Sequence, residues 1–168
     1  MSVTDPAHAP SSNSAVLGTI EAIFVTPAAG APMRALEQVR ALAGRGLEGD
    51  RYADGVGTYS TTPGSGRHVT MIDAAALEAL AAEGLPLAPH ECRRNIVTRG
   101  VALLDLIGSR VWVGEALCVV TRECAPCQYL ESLTRPGMLK ALVGRGGARL
   151  EVLRDGLIRR GDAIRRAE

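Results

Sequence analysis

The residues best suited to carry chemistry are two cysteines in the segment Cys124-Ala125-Pro126-Cys127, which follows an apolar, β-branched stretch. Pro126 fixes its own φ angle and biases the residue before it toward an extended backbone, so Cys127 is presented from a defined turn at the end of a predicted strand. A thiolate held in this way can bind a soft metal. The segment therefore makes Cys127 a candidate metal ligand.

Other interpretations of the cysteines stay open. A thioredoxin-like dithiol opens a long helix in a βαβ unit, and residues 128–134 are a poor start for one. A zinc site needs two further ligands, and the remaining cysteines and histidines have no paired spacing. The last alternative is buried cysteines without chemistry, which is the expectation for Cys92 and Cys118.

Five polar residues near glycines or at a strand start could bind an anion. Arg93 and Arg94 precede Asn95, so two guanidinium groups and an amide could hold a phosphate. Arg51 and Arg67 each follow a glycine-rich segment, where the backbone can approach a ligand closely. Solvated strand ends and local turns would explain the same residues without a ligand. We treat all five as candidate ligand-binding residues.

Composition excludes several classes of protein. The 168 residues are 46% hydrophobic and 22% charged, which suits one globular domain with a sizeable core. A net charge of +1 and 3% aromatic residues argue against a nucleic-acid partner and against binding to an anionic membrane.

The N-terminal residues differ from the rest of the chain. Residues 1–14 are polar and rich in Pro and Ser, which predicts a disordered tail ahead of a single domain over residues 15–168. Neither a secretory signal nor an apolar stretch of spanning length is recognisable. We therefore expect a cytoplasmic protein with no membrane partner.

The elements that must position these residues are mostly short β-branched stretches separated by glycines, as in a meander or barrel. Strands are predicted at residues 15–27, 68–72, 95–98, 110–113, 116–121, 149–154 and 157–164. Asp155-Gly156, between the last two, favours a tight hairpin turn. The pattern predicts a mainly β fold, a closed or nearly closed β-barrel with a few short helical insertions.

Fewer segments favour helix or loop. Asp73 is the predicted N-cap of a helix that ends near Gly84, and residues 130–143 can hold one or two short helices. Residues 33–42 fit either a helix or a strand. Residues 55–66 are rich in Gly, Ser and Thr and predict a mobile loop.

Six short blocks occur in an order that resembles the MOSC domain, the family named for the C-terminal part of molybdenum cofactor sulfurases. The blocks are Gly46–Tyr52, Gly66–Asp73, Arg93–Gly100, Leu103–Gly114, Cys124–Cys127 and Gly144–Asp162. The resemblance covers nearly everything from residue 20 to residue 164. It implies a β-barrel that binds a molybdenum pyranopterin cofactor.

The resemblance also assigns roles to residues. The family's metal-binding cysteine corresponds to Cys127, which would be the metal ligand and the catalytic residue. The arginine and asparagine of the family's cofactor-binding strand fall on Arg93 and Asn95, or on Arg94 if the register slips by one. We add Arg51 to this expected cofactor-binding set, together with the arginine at position 67.

Family members with this cofactor reduce N-hydroxylated compounds. This chain lacks the N-terminal barrel and ferredoxin-like domains of the larger reductases, and four cysteines cannot ligate both a [2Fe–2S] cluster and molybdenum at Cys127. We therefore expect an oxidoreductase that reduces a small N-hydroxylated substrate with electrons from an external donor protein. The alternative is a sulfur carrier or cofactor-handling module that carries a persulfide on Cys127, which Cys124 resolves.

Overall fold

Short β-branched and apolar stretches form most of the strands in the computed structural model of the chain, which describes residues 9–168. The strands, in chain order, are β1 (Val16–Val25), β2 (Arg34–Leu36), β3 (Gln38–Leu42), β4 (Gly46–Leu47), β5 (Val69–Asp73), β6 (Ile96–Arg99), β7 (Arg110–Val113), β8 (Ala116–Glu123), β9 (Ala148–Arg154), β10 (Gly156–Arg159) and β11 (Ala163–Arg166). The helices are α1 (Ala74–Ala82), α2 (Gln128–Leu133) and α3 (Met138–Ala141), with a 3-10 turn at Leu103–Leu106.

Seven of these strands form a closed barrel. Their order is β1, β6, β5, β9, β8, β7 and β11, and β11 pairs back onto β1. The β5–β6 pair is parallel, and the other barrel pairs are antiparallel. Closure leaves the barrel strands without an open edge. The predicted mainly β barrel with a few short helices is confirmed.

Helices are short insertions between strands. The predicted N-cap of α1 is confirmed, because Asp73 accepts a hydrogen bond from the Ala75 N–H at 3.0 Å. The segment predicted to hold one or two helices contains α2 and α3. Helix α2 directly follows the segment that carries Cys127.

The ambiguous segment of residues 33–42 forms strands. Val39 and Ala41 are buried in β3, whereas Gln38 and Arg40 between them are exposed. This alternation has the period of a strand with one buried face, and it outweighs the helical spacing of the larger apolar residues. Strand β3 pairs with β4 and β10 in a second, three-stranded sheet.

The predicted hairpin at Asp155-Gly156 is wrong. The strand before it, β9, pairs with β5 and β8 in the barrel, whereas β10 after it pairs with β3 in the other sheet. The Asp155 carboxylate accepts a hydrogen bond from the Ala43 N–H at 2.7 Å, and a Cβ on Gly156 would lie 2.3 Å from the carbonyl carbon of Glu115. At this dipeptide the chain therefore passes from the barrel to the three-stranded sheet, and it lies close to the backbone of Glu115 there.

The apolar interior has two parts. One fills the barrel and includes Ile20, Met71, Ile96 and Leu150. The second lies between the helices and the outer barrel wall, and its buried members include Ile72, Leu80, Leu130, Met138 and Leu142. Partly buried Cys127 packs against this second cluster, so the helices help to fix its position.

The predicted boundary after residue 14 stays a prediction, because residues 1–8 lie outside the described residues. Within residues 9–14, the Ser14 carbonyl accepts a hydrogen bond from Arg165 Nη1 at 2.9 Å. The part of the chain that the structure describes contains no helix with the length and apolar character needed to span a membrane.

Candidate functional site

One cleft gathers most of the predicted site residues. Its chemically active lining consists of four arginines, three tyrosines and two cysteines. They are Arg51, Arg93, Arg94, Arg149, Tyr52, Tyr59, Tyr129, Cys124 and Cys127. All the tyrosines of the chain are in this set. We call this space the Cys127 cleft.

Cys127 is the N-cap of α2. Strand β8 ends at Glu123, the next residues run out of the barrel, and the helix begins at Gln128. The Cys127 Sγ accepts a hydrogen bond from the Leu130 N–H at 3.5 Å, and the side chain is half-buried. This local geometry holds the sulfur at the wall of the cleft.

The other cysteines are buried. Burial raises the pKa of the Cys118 thiol to about 12, and burial also raises the pKa of Cys92. Cys124 lines the cleft but is 1% exposed, and its N–H donates to the Gly147 carbonyl at 2.8 Å. Among the four thiols, Cys127 is therefore the one that a ligand or reagent can reach.

Arg93 has an unusual backbone and unpaired donors. It is the one non-glycine residue within residues 9–168 with a positive φ, of 62°, a conformation that costs about 1–3 kcal/mol. Its Nη1 donates to the Ala31 carbonyl, whereas its Nε and Nη2 are buried and have no hydrogen-bond partner in the part of the chain that the structure describes. Burial lowers the pKa of Arg93, and the nearby charge of Arg51 lowers it further.

Arg94 uses its donors within the protein. Its guanidinium donates to the carbonyls of Gly146 at 2.9 Å, Cys92 at 3.2 Å and Cys124 at 3.4 Å. Arg94 is buried and lines the cleft. These contacts hold the backbone at the start of the Cys124–Cys127 segment.

Asn95 is not brought to the cleft. It is 2% exposed, and its Nδ2 donates to the Phe24 carbonyl at 3.1 Å. Its Oδ1 accepts from the Thr70 N–H at 3.1 Å. The amide therefore links β6 to β1 and β5, and it supports the arginines before it rather than facing the cleft.

Arg51 lines the cleft from the segment after β4. Its Nη1 forms a buried ion pair with Asp50 at 3.1 Å, and its guanidinium lies 4.8 Å from the centre of the Tyr52 ring. Asp50 in turn accepts from the Thr26 N–H at 3.2 Å. Arg51 is thereby fixed in orientation.

Arg67 lies outside the lining of the Cys127 cleft. Its guanidinium is 5.8 Å from the centre of the Tyr59 ring, and its Nη2 donates to the carbonyls of Thr62 and Pro63, both at 3.3 Å. Its Nε is buried without a partner. Arg67 borders a neighbouring depression that His68 also lines.

The predicted set of site residues did not include Arg149 or the tyrosines. Arg149 lines the cleft from β9, and its Nε is buried without a partner. Two of the tyrosines could have been found from their positions in the sequence. Tyr52 is the last residue of the first block that resembles the MOSC domain, and Tyr129 comes two residues after Cys127. No comparable spacing marks Tyr59.

Tyr59 contacts the cysteine itself. Its hydroxyl is hydrogen-bonded to the Cys127 side chain, and this bond, with burial as the second cause, raises the pKa of Tyr59 to about 12. A phenol that keeps its proton at neutral pH is a hydrogen-bond donor. Tyr59 therefore presents an O–H group beside the sulfur.

A metal site built from protein ligands alone has no candidate in residues 9–168. No group of three or more His, Cys, Asp or Glu side chains there could hold a metal ion. A metal at Cys127 would need most of its ligands from a carrier molecule.

Comparisons with known proteins identify similar folds. The model of the MOSC domain matches residues 58–165, more than half of the chain. The YUAD protein from Bacillus subtilis has a similar structure, with a TM-score of 0.72 and 18% identity, covering 88% of this chain and 93% of that one. YiiM from Escherichia coli gives 0.65 and 18%, covering 89% and 70%, and YiiM from Geobacillus stearothermophilus gives 0.62 and 16%, covering 91% and 74%. No curated protein matches the chain.

Proposed function

This chain belongs to the MOSC domain family, which is associated with molybdenum cofactor binding, and from that premise we propose that it is an oxidoreductase of small N-hydroxylated compounds. The Cys127 cleft would hold a molybdenum pyranopterin cofactor. The observation that carries the proposal is a reachable thiol beside Arg93, whose buried Nε and Nη2 have no hydrogen-bond partner within residues 9–168.

The unpaired donors fit an anionic cofactor. Arg93 Nε and Nη2 are buried without a hydrogen-bond partner among residues 9–168, and the Arg93 side chain lines the cleft. Leaving a buried donor unsatisfied costs about 1–3 kcal/mol, more for a charged group. Phosphate oxygens would satisfy these groups with charge-assisted hydrogen bonds.

Each residue then has a distinct role. Cys127 would bind the metal as a thiolate, and Arg51 and Arg93 would bind the cofactor phosphate. Arg94 and Asn95 would act as positioning residues, since their side chains bind protein groups. Thiolate suits a soft, redox-active metal, and a single protein sulfur is enough when the carrier supplies the other ligands.

When bound, the cofactor supplies two-electron chemistry that converts an N–OH group to N–H, with two protons taken up and the oxygen leaving as water. The electrons would come from an external donor protein. The Tyr59 hydroxyl, protonated up to a pKa of about 12, would donate a hydrogen bond at Cys127. The arginines would orient the bound molecules in the cleft.

Metal content tests the ligand assignment. The protein is purified from cells that make the cofactor, and molybdenum and zinc are measured per chain. We expect molybdenum in the wild type and in Cys124→Ala, and its loss in Cys127→Ala. Retention of molybdenum in Cys127→Ala would contradict the assignment.

Turnover tests the reaction. The molybdenum-loaded protein is assayed with benzamidoxime and with hydroxylaminopurine, using a chemical electron donor. We expect reduction of at least one substrate. A loaded protein inert toward both would leave cofactor binding without this activity.

One observation favours a second candidate, a sulfur carrier. Cys124 lines the same cleft as Cys127, three residues away. A persulfide on Cys127 could be resolved by Cys124, which would leave a disulfide and release the terminal sulfur as sulfide. Intact-mass measurement of an added sulfur on Cys127, in a protein without metal, would support this function.

A further inference from the structure

Two arginines face each other on neighbouring barrel strands. Arg122 of β8 and Arg149 of β9 are direct cross-strand partners. Like charges in this position are destabilising. Local rules of this kind are broken mostly at functional sites.

A third arginine joins them from the segment before β5. Arg122 Nε donates to the Ser65 carbonyl at 3.2 Å, and a Cβ on Gly66 would lie 2.9 Å from the Cβ of Arg149. Arg67 follows Gly66 directly in the chain, so its backbone lies near the pair. Burial lowers the pKa of Arg122, and the charges of Arg149 and Arg67 lower it further. We call Arg67, Arg122 and Arg149 the arginine triad.

The triad has no carboxylate partner among residues 9–168. Within residues 9–168, none of the ion pairs involves any of its members. Glu151, two positions along β9 from Arg149, accepts a hydrogen bond from the Gly66 N–H at 3.0 Å. The Nε groups of Arg67 and Arg149 are buried without a partner.

The triad adjoins the Cys127 cleft at Tyr59. The centre of the Tyr59 ring lies 5.8 Å from the Arg67 guanidinium carbon, and the Tyr59 hydroxyl is hydrogen-bonded to the Cys127 side chain. Arg149 belongs to both the triad and the cleft lining. An anion at the triad would therefore lie beside the cleft that Cys127 lines.

We infer that the arginine triad is a second anion subsite, which binds a carboxylate or phosphate group on the substrate. The substrate part of this inference rests on the proposed function, whereas anion binding does not. Under this inference Arg67 binds the substrate, whereas the sequence alone placed it in the expected cofactor-binding set. Three guanidinium groups around an oxyanion would satisfy the unpaired donors and relieve the repulsion between the strands.

Anion binding is tested on the full chain with inorganic phosphate as the probe. Phosphate is titrated into 15N-labelled protein while amide signals are followed by NMR. We expect saturable shifts at Ser65, Gly66 and Arg149, and an affinity at least about 10-fold weaker in Arg122→Gln. Arg110→Gln, which removes an exposed arginine from β7, is the matched control and should bind as the wild type does.

Three results of the phosphate titration would support or overturn the inference. Retention of these shifts in Arg93→Gln would support a subsite separate from the cofactor arginines. Phosphate shifts confined to the surroundings of Arg51 and Arg93, or unchanged affinity in Arg122→Gln, would overturn the inference. A parallel titration with acetate at the same ionic strength shows whether carboxylate or phosphate is preferred.

Thermal melting separates binding from a structural role. Loss of a like-charge pair should leave the Tm of Arg122→Gln unchanged or raise it by up to about 4 °C. A lower Tm combined with unchanged phosphate affinity would show that Arg122 serves only to hold Ser65, and would overturn the inference.

Substrate preference tests the link to the reaction. The loaded protein is assayed with benzamidoxime and with 4-carboxybenzamidoxime. In Arg122→Gln we expect kcat/KM for the carboxylated substrate to fall by about 10- to 150-fold through KM, with the neutral substrate changed by less than about 2-fold. Equal losses for both substrates would contradict the substrate assignment. If the wild type reduces neither substrate, the proposed function fails and the phosphate titration alone decides the inference.

Discussion

Cys127 differs from the other cysteines in its surroundings. The sulfur caps a short helix, borders a cleft and contacts a tyrosine hydroxyl, whereas Cys92, Cys118 and Cys124 are each 1% exposed. Reactivity of a thiol depends on access and on the stability of its thiolate. Access separates Cys127 from the three buried thiols.

Thiol labelling checks this difference. We expect Ellman's reagent to label one thiol of the native, metal-free protein rapidly and all four cysteines after unfolding in guanidinium chloride. Cys127→Ala should remove the rapid phase, because the other thiols are buried. Cys124→Ala is the matched control, and loss of the rapid phase there would contradict the assignment.

Tyr59 provides a pH readout of the same contact. Its hydrogen bond to Cys127 is the largest cause of a pKa of about 12, above its ordinary value of 10.0. We expect Cys127→Ala to lower the pKa of Tyr59 toward the ordinary value. Ultraviolet titration of tyrosinate measures it, with Tyr59→Phe identifying the component. An unchanged titration curve in Cys127→Ala would show that the contact does not form in solution.

Among the elements, the turn before β9 decides how closely the strands can approach the cysteine segment. Gly147 has a φ of +94°, and a Cβ there would lie 1.8 Å from the Met71 carbonyl oxygen. Gly146, whose carbonyl binds Arg94, would bring a Cβ to 2.5 Å from the Cys124 carbonyl oxygen. The two glycines therefore allow β9, β5 and the Cys124 backbone to meet.

Substitution of Gly147 should be severe. Gly147→Ala forces a clash with backbone and a left-handed side chain, so we expect a loss of at least about 3 kcal/mol in the free energy of unfolding. Gly144→Ala is the matched control, because its φ is +73° and nothing lies within 4 Å of its Cβ position. That variant should lose only about 1–2 kcal/mol. Equal losses in urea denaturation would contradict the close approach.

His68 connects β5 to β9 in a pH-dependent way. Its Nδ1 accepts a hydrogen bond from the Val152 N–H at 3.0 Å, and burial lowers its pKa below 6.5 while Glu151 opposes the shift. The folded state therefore favours the neutral ring. Its contribution to stability is present above pH 6.5 and is lost as the pH falls through the lowered pKa.

Melting as a function of pH tests the role of His68. We expect the Tm of the wild type to fall on acidification below pH 6.5 more steeply than that of His68→Gln, whose amide oxygen can accept the same hydrogen bond. His90→Gln is the control for a histidine outside this contact. Parallel curves for wild type and His68→Gln would argue against the neutral buried ring.

The whole molecule depends on barrel closure by its last strand. Strand β11 lies between β1 and β7, and Ile164 pairs with Gly18 on one side and Val113 on the other. Ile164 is 1% exposed. The terminal strands therefore bring residues from both ends of the chain into one core.

Truncation of this side chain should loosen the entire barrel. We expect Ile164→Ala to reduce the free energy of unfolding by about 2–5 kcal/mol. Val16→Ala in β1 is the control, because Val16 is 54% exposed, and the change there should stay within about 0.5 kcal/mol. Urea denaturation measures both. A small effect of Ile164→Ala would mean that the barrel tolerates an open seam.

The sequence predicted features that depend on neighbouring residues. Alternating or β-branched stretches predicted most of the barrel strands, Asp73 predicted the start of α1, and the order of six blocks predicted the family. The strand and helix signals are local, because propensity, caps and turn chemistry act over a few positions. A local signal gave the wrong hairpin prediction at Asp155-Gly156, because this turn-forming dipeptide connects strands of two different sheets.

The tertiary structure decided which predicted residues meet. It placed Arg51, Arg93 and Arg94 at the Cys127 cleft and turned the Asn95 amide inward. It left the guanidinium at position 67 beside the cleft, and it added three tyrosines and Arg149 to the lining. Which side chains converge depends on strand register and barrel closure, which join positions far apart in the chain. No local sequence pattern encodes this register and closure, because packing of the whole core selects them.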